Sequence, residues 1–455
     1  MREGVLYLPP FRQGINLPPP TADGILPDAQ YPIEITALKS PAAGLLVCKR
    51  SRKEKIVKIK LDCCFPLILV FCAINAAQPA VAQADLACSG LTHTLSVNWP
   101  LFGFTSCNAR FNPNEFVLSP TTVQNLQVKW HYSQTIQGMS SPAVVNGTLY
   151  VGTYDADGHG YLSAFNAKTG ALLWNYPTGS VVWSSPAVAN GRVFIGGGDN
   201  NVYAVDARTG VLVWKYTTGG QVWGSPTVAG GIVYVGSFDS EMYALDAAAG
   251  VRLWAHFAGQ FPLGTPAVAG GLVYIPADYP HNDLYAVDAK TGVERWSYTT
   301  KDYLTTASPA VANGVVYVGS NDGTLYALTA STGVLRWTAS AQGTYIHAVA
   351  VANGLVYAGS SDSYLYCFNA NSGALVWRYP TGGQSGLYSS PAVANGVVYI
   401  EGGDGSLDAL DASTGTLLWQ YGGADSGGAS PTIVNGILYA GGEFGPYAFA
   451  LPVQQ

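Results

Sequence analysis

Four groups of residues in this 455-residue chain have types and spacings suited to chemistry. Trp183 and Trp223 stand 40 residues apart in matching contexts, "SVVWSSP" and "GQVWGSP". Two indoles brought side by side make a stacking platform for a planar ring or a sugar, or else they plug and pack a loop. Glu401 in "YIEGGDG" and Glu443 in "GGEFG" set a carboxylate where comparable stretches carry small residues, and are the acids to examine as a base. Asp155 and Asp157 alternate before a glycine in "YDADGHG", in the manner of a Ca²⁺ loop, but no Glu closes the loop at the required spacing. A lengthened hairpin turn is the simpler account of them, and no metal site is expected. Cations in the connections expected on the same face as these residues are few: Lys301, with His159, His256, His281 and His347 only when protonated. The six histidines share no motif that assigns a Ser-His-Asp arrangement, and the "GGG" at Gly196–Gly198 leads into a turn rather than a phosphate-binding helix.

An internal repeat positions all of these residues. Trp130, Trp174, Trp214, Trp254, Trp296, Trp337, Trp377 and Trp419 recur at intervals of 40 to 44 residues. A second series, Ser-Pro or Thr-Pro at Pro142, Pro186, Pro226, Pro266, Pro309, Pro391 and Pro431, keeps the same period, with Val349 standing where the sixth Pro should be. Each unit reads as four short β-rich runs, for example "SPAVANG", "VVYVGS", "GTLYALTA" and "VLRW". Asn-Gly favours the first hairpin turn because both central residues take φ > 0. The recurrent turn acids Asp199, Asp239, Asp322, Asp362 and Asp404 serve turn geometry rather than catalysis.

A single four-stranded unit cannot bury both faces, so the units must stack, and radial stacking leaves only short edges. The fold expected is all-β: an eight-bladed β-propeller of four-stranded blades. Trp130 precedes the first Ser-Pro and no Trp follows the last, so Val123 to Trp130 should close the ring as the outer strand of the final blade. Three positions before each Pro stand Met139, Trp183, Trp223, Leu263, Thr306, Ile346, Tyr388 and Gly428, which should ring the mouth of the channel. The eight repeating tryptophans should pack between blades as a stability device.

The amino-terminal region reads differently. Residues 1–47 are Pro-rich with no period and should have no packed structure, or be a mis-assigned leader. Residues 48–84 run from basic "CKRSRKEKIVKIK" through apolar "CCFPLILVFCAINAA" to "AVAQA", the order of a secretory signal, with cleavage after Ala82 or Ala84. Translation starting near Val57 would place that signal at the terminus; the other account is a signal anchor with a long leader. Residues 85–122 form an N-terminal lead-in and 123–455 the propeller.

Without residues 1–84 the chain has 12 Lys+Arg against 22 Asp+Glu, a surface that repels nucleic acid and anionic lipid. No transmembrane helix is expected in the mature chain, which should be a monomer, exported to the periplasm or beyond the cell. Cys88 and Cys107 are disulfide candidates in such a compartment. A lipid anchor on Cys88 is the weaker alternative, because Asp85 stands where a lipobox needs Leu.

The units, especially "YAVDARTGVLVW" and "YALTASTGVLRW", resemble the PQQ-repeat, tryptophan-docking propeller family over about residues 123 to 451. The lead-in "NWPLFGFTSCNARFNPNEF" is similar to that of secreted quinoprotein-like propellers. The resemblance implies one of two activities. BamB-type scaffolds carry no cofactor; quinoprotein dehydrogenases oxidise alcohols or sugars with pyrroloquinoline quinone (PQQ) and Ca²⁺. The second activity needs cations for three carboxylates, oxygen ligands for the metal and a carboxylate base. Against it, the dehydrogenases' vicinal disulfide has no counterpart here, since the only Cys-Cys, Cys63–Cys64, lies in the signal, and there is no C-x-x-C-H haem motif.

The leading expectation is a module that binds or scaffolds an envelope or extracellular protein, peptide or glycan, with no cofactor. The PQQ- and Ca²⁺-dependent dehydrogenase is the alternative, and a purely structural module the third. Mass spectrometry of the native protein should find an amino terminus at Gln83 or Asp85 and no peptide from residues 1–40. A peptide from that range would overturn the start near Val57.

Overall fold

The computed structural model describes residues 98–452 apart from 133–135, 137, 261, 384–385, 388, 423–427 and 442–444, together with three strands nearer the amino terminus. The chain divides into two compact units, Met1–Ala76 and Ala77–Gln455. In the first, Glu34–Leu38, Leu45–Lys49 and Val57–Ile59 form an antiparallel sheet in sequence order. Two of these strands fall largely within the stretch expected to lack packed structure, because five-residue runs such as "EITAL" are too short to register as a period. The rest of the stretch read as a signal lies outside the described residues, as does Cys88. No helix among the described residues is long and apolar enough to cross a membrane.

The second unit is an all-β propeller whose described residues form eight sheets, antiparallel within each blade, with Phe111–Asn112 added in parallel to the inner strand Ala392–Ala394 of one of them. We number the blades 1 to 8 from the sheet that begins at Ala143–Val145. Blade 2 shows the pattern: inner strand Ala187–Ala189, then Arg192–Gly196, Asn201–Asp206 and outer strand Leu212–Thr217. Asn190 and Gly191 both take positive φ, as the tight first hairpin demands, and the equivalent pair does so in every blade. Asp206 Oδ1 accepts from the N–H groups of Arg208 and Thr209, an Asx turn that sets up the left-handed Gly210 before the outer strand. Blade 8 draws its outer strand, Gln127–His131, from the amino-terminal side, paired with Tyr447–Ala450.

Each repeating tryptophan donates its indole N–H to a backbone carbonyl of the following blade. Trp174 reaches Ala207 O, Trp254 reaches Ala289 O and Trp296 reaches Ala330 O, at 3.3, 3.1 and 2.9 Å. Between the last blades and the first, Trp419 reaches Leu126 O and Trp130 reaches Ala167 O, both at 3.1 Å. In six blades a Tyr hydroxyl of the same blade gives the same carbonyl a second bond; Tyr234 and Trp254 share Ala289 O in this way. A carbonyl oxygen has two lone pairs, so this uses its full capacity.

The seven glycines from Gly170 to Gly415 that end the third turn of blades 1 to 7 meet the indole of the preceding blade. A Cβ on them would lie 2.6 to 2.8 Å from a ring carbon, and their φ values are 69° to 73°.

Residues 98–115 line the inside of the ring. An inner strand at a channel has unpaired backbone groups on its free edge, and the lead-in supplies their partners in turn. Trp99 bridges Val144, Pro100 O accepts from Val188 N, and Ser106 O and Cys107 O accept from Val268 N and Val311 N. Ala109 O and Arg110 O then take Val351 N and Val393 N, and Asn112 Nδ2 donates to Ile433 O at 2.8 Å. Inner strands of seven of the eight blades are thereby bonded to one segment. Trp99 is fully buried within it, and the buried Cys107 is disulfide-bonded.

Two substitutions separate backbone strain from indole contact. Gly191→Ala, where a Cβ meets nothing within 4 Å, should cost about 1 kcal/mol through its positive φ alone. Gly250→Ala, whose Cβ would lie 2.6 Å from Trp214, should cost about 2–4 kcal/mol. Urea midpoints of the two variants check the difference; equal losses would contradict the indole contact.

Candidate functional site

The face carrying the second-to-third and fourth-to-first connections is built on the starts of the inner strands. Just before each Pro a hydroxyl residue links neighbouring blades. Ser185 Oγ accepts from Ser141 N at 3.2 Å, Ser225 Oγ from Ser185 N at 2.9 Å and Ser308 Oγ from Thr265 N at 2.9 Å. Ser430 Oγ accepts from Ser390 N at 2.9 Å, and Ser141 Oγ from Ser430 N at 2.8 Å, which joins blade 8 to blade 1. This role of the Ser-Pro series is not visible in one sequence, since the bonds run between units. In blade 6 Ala348 and Val349 replace Ser-Pro; with a backbone N–H in place of Pro, the inner strand extends over Ile346–Ala352 and pairs across a bulge.

Inside this collar stands Arg110, fully buried and missed by the sequence analysis as a central residue. Its Nε donates to Pro391 O at 2.8 Å, Nη2 to Pro431 O at 2.9 Å, and Nη1 to Phe102 O. The guanidinium lies 4.6 Å from the Phe102 ring centroid. Burial pushes its pKa down to about 9, against the opposing pull of Glu401, so it keeps its charge at neutral pH.

The expected ring of mouth residues separates into buried and exposed members. Met139 and Ile346 are buried, Leu263 is half-buried, and Thr306 Oγ1 lies 2.7 Å from His347 Nδ1. Tyr388 and Glu443 lie outside the described residues, and Gly428 brings no side chain. Trp183 is 43% exposed, and four rings run side by side across blades 1 to 3. Their centroids are 5.1 Å apart for Tyr154–Trp183, 6.4 Å for Trp183–Trp223 and 4.8 Å for Trp223–Phe238. Trp223 Nε1 is buried with no hydrogen-bond partner among the described residues.

Glu401 does not face solvent; it is buried, with Oε1 3.3 Å from Gly441 N and Oε2 unpartnered among the described residues. Desolvation raises its pKa well above the carboxylate range, so it is not a ready base at neutral pH. Asp155 Oδ1 accepts from the backbone N–H groups of Asp157 and His159, at 3.0 and 2.9 Å. Asp155, Asp157 and His159 are nevertheless the one group of three possible metal ligands close together among the described residues.

These residues do not fit PQQ with Ca²⁺. The central guanidinium already serves three backbone carbonyls, and burial drives His347 down to about 4, leaving it neutral. Lys301 is exposed and His281 lies 3.9 Å from Asp283, so among the described residues no set of cations converges on the mouth for three carboxylates. Among the described residues the one group of three acidic or histidine ligands is that of the Asp155 turn, in the second-to-third connection of blade 1.

Blade 7 holds a further carboxylate that sequence reasoning missed. Asp408 takes the position held by Tyr203 in blade 2 and is fully buried, with Oδ1 2.9 Å from Gln420 Nε2. Desolvation lifts its pKa to about 6. Its folded value lies above the unfolded one, so the folded state holds a proton that the unfolded state releases, and stability falls as pH rises from about 4 to about 6. Asp408→Asn should flatten that part of the stability–pH curve and raise stability at pH 7 by about 3 kcal/mol. Denaturant midpoints at pH 4, 6 and 7 check this; unchanged pH dependence would contradict it.

No curated protein matches the sequence. Among solved structures, BamB from Moraxella catarrhalis superposes with a TM-score of 0.58 at 18% identity, over 71% of this chain and 99% of that one. The quinohemoprotein alcohol dehydrogenase ADHIIG from Pseudomonas putida HK5 gives 0.65 at 18% identity, over 84% and 83%. The computationally designed Ika8 protein gives 0.58 at 18% identity, over 72% and 100%. At such identities these likenesses describe the fold. The family described as outer membrane protein assembly factor BamB matches residues 158–303, 281–421 and 347–445, overlapping spans that cover more than half of the chain. A propeller whose blades are joined by docked tryptophans and which matches over that length belongs to the BamB-type family of PQQ repeats.

Proposed function

We propose that this chain is an exported β-propeller that binds or scaffolds another protein of the cell envelope through its loop face. The observation that carries the reading is the run of rings from Tyr154 to Phe238, with Trp183 exposed. Exposed tryptophan on a rigid frame favours recognition, because a large amphipathic surface is offered at little cost in ordering. Membership of the BamB family supports the same reading, since that family's description is an assembly factor.

The likeness to dehydrogenases keeps the oxidation of an alcohol or sugar as the rival. The engagement of Arg110 and the protonated state favoured for Glu401 weigh against it. Export and the compartment follow from the signal-like order of residues 48–84 and belong to the proposal.

A photo-crosslinking residue placed at 183 in the full-length protein, expressed in its own cells, should yield a discrete adduct. The same residue at 211, exposed in the turn on the opposite face, should not. Equal adducts at both positions, or none at 183, would contradict the loop face as the binding face.

A further inference from the structure

Six of the eight blades carry a tyrosine at one position of the third strand: Tyr203, Tyr243, Tyr285, Tyr326, Tyr366 and Tyr447. In blade 2 its ring meets Tyr176 of the preceding blade at 5.7 Å, filling the seam, and its hydroxyl bonds Asp199. Blade 1 has Ser163 there, paired with Val151 and Asn175 as Tyr203 is with Ile195 and Lys215. Where that ring would stand, between blades 8 and 1, is a cavity of about 170 Å³.

Its walls are aromatic and its one charged group is acidic. Tyr132, Tyr154, Tyr161 and Phe165 surround it, and the Asp155 carboxylate completes the lining. Tyr132 and Phe165 meet edge to face at 4.8 Å, and Tyr161 OH donates to Asp155 Oδ2 at 3.3 Å. The buried hydroxyls of Thr153 and Ser163, 3.0 Å apart, form the floor.

We propose that this seam is a binding site for an organic ammonium group. Aromatic faces carry negative potential and attract a cation of low hydration, most strongly where several surround it. A carboxylate at the edge then fixes its position. The cavity is well below the roughly 300–1,000 Å³ of drug-sized sites, so the occupant is a single basic side chain or a small amine. The excess of acidic residues in the chain draws cations toward it. The site shares Tyr154 with the run of rings that reaches Trp183, but its argument rests on the missing ring at Ser163 and not on the exposure of Trp183.

The test is calorimetric titration of the full propeller with tetramethylammonium, with Nα-acetyl-lysine methylamide and with the neutral isostere 3,3-dimethylbutan-1-ol. Both cations should bind saturably, and the neutral compound at least tenfold more weakly. Asp155→Asn, which keeps an oxygen for the turn, should weaken the cations about tenfold. Ser163→Tyr restores the residue common to six other blades, so it should fold with an unchanged circular dichroism spectrum and lose binding entirely. Stronger binding of the lysine derivative points to a protein side chain, stronger binding of tetramethylammonium to a small amine, and either supports the site. Equal binding of the neutral isostere, no saturable binding, or cation binding that persists in Ser163→Tyr would overturn it. Adduct formation at position 183 is read independently, so failure here leaves the loop-face reading standing.

Discussion

The structure depends on one hydrogen bond made eight times, from a tryptophan N–H to a carbonyl of the next blade. A four-stranded sheet has two apolar faces and no partner of its own, and this bond fixes how each face meets its neighbour. In seven of the eight cases the indole sits on a glycine held at positive φ, and in six blades a tyrosine fills the second lone pair of the same oxygen. A bond of this kind contributes about 1 kcal/mol and the accompanying aromatic contact a similar amount. Repeated around a ring, the sum is of the order of a domain's whole stability.

The inner edges pose the complementary problem, and the lead-in answers it. By running inside seven inner strands, residues 98–115 satisfy edge groups that would otherwise face a channel, and they commit Arg110 to backbone carbonyls. The segment therefore serves as structure where a related fold can hold chemistry. The loop face is where departures from the repeat collect: Trp183 and Trp223 ahead of the inner strands, and Ser163 at the seam beside Asp155.

Much of the architecture was legible in the sequence because it is carried by period. The tryptophan spacing sets the blade count, and Asn-Gly marks a turn that only positive φ allows. The Asp and Asn of the third turn act as their types suggest, through bonds such as Asp206 Oδ1 to Thr209 N. The centre was not legible, because its partners are distant in sequence. Nothing local reveals that Arg110 reaches Pro391 and Pro431, or that Ser-Pro hydroxyls bond the next unit. Glu401 broke the repeat and drew attention as an acid, yet its burial removes it from solvent. Ser163 and Asp408, which also break the repeat, are found only by aligning the units strand by strand and asking what the missing tyrosine ring had filled.

The central claim is that this propeller is a filled frame which binds at its loop face and holds no quinone cofactor at its axis. Titrating the mature chain with PQQ in the presence of Ca²⁺, followed by cofactor absorbance and tryptophan fluorescence, tests it most directly. The account predicts no saturable change at high cofactor concentration. Tight, saturable binding that is lost in Trp183→Ala would contradict it and turn the chain into a dehydrogenase awaiting its alcohol or sugar.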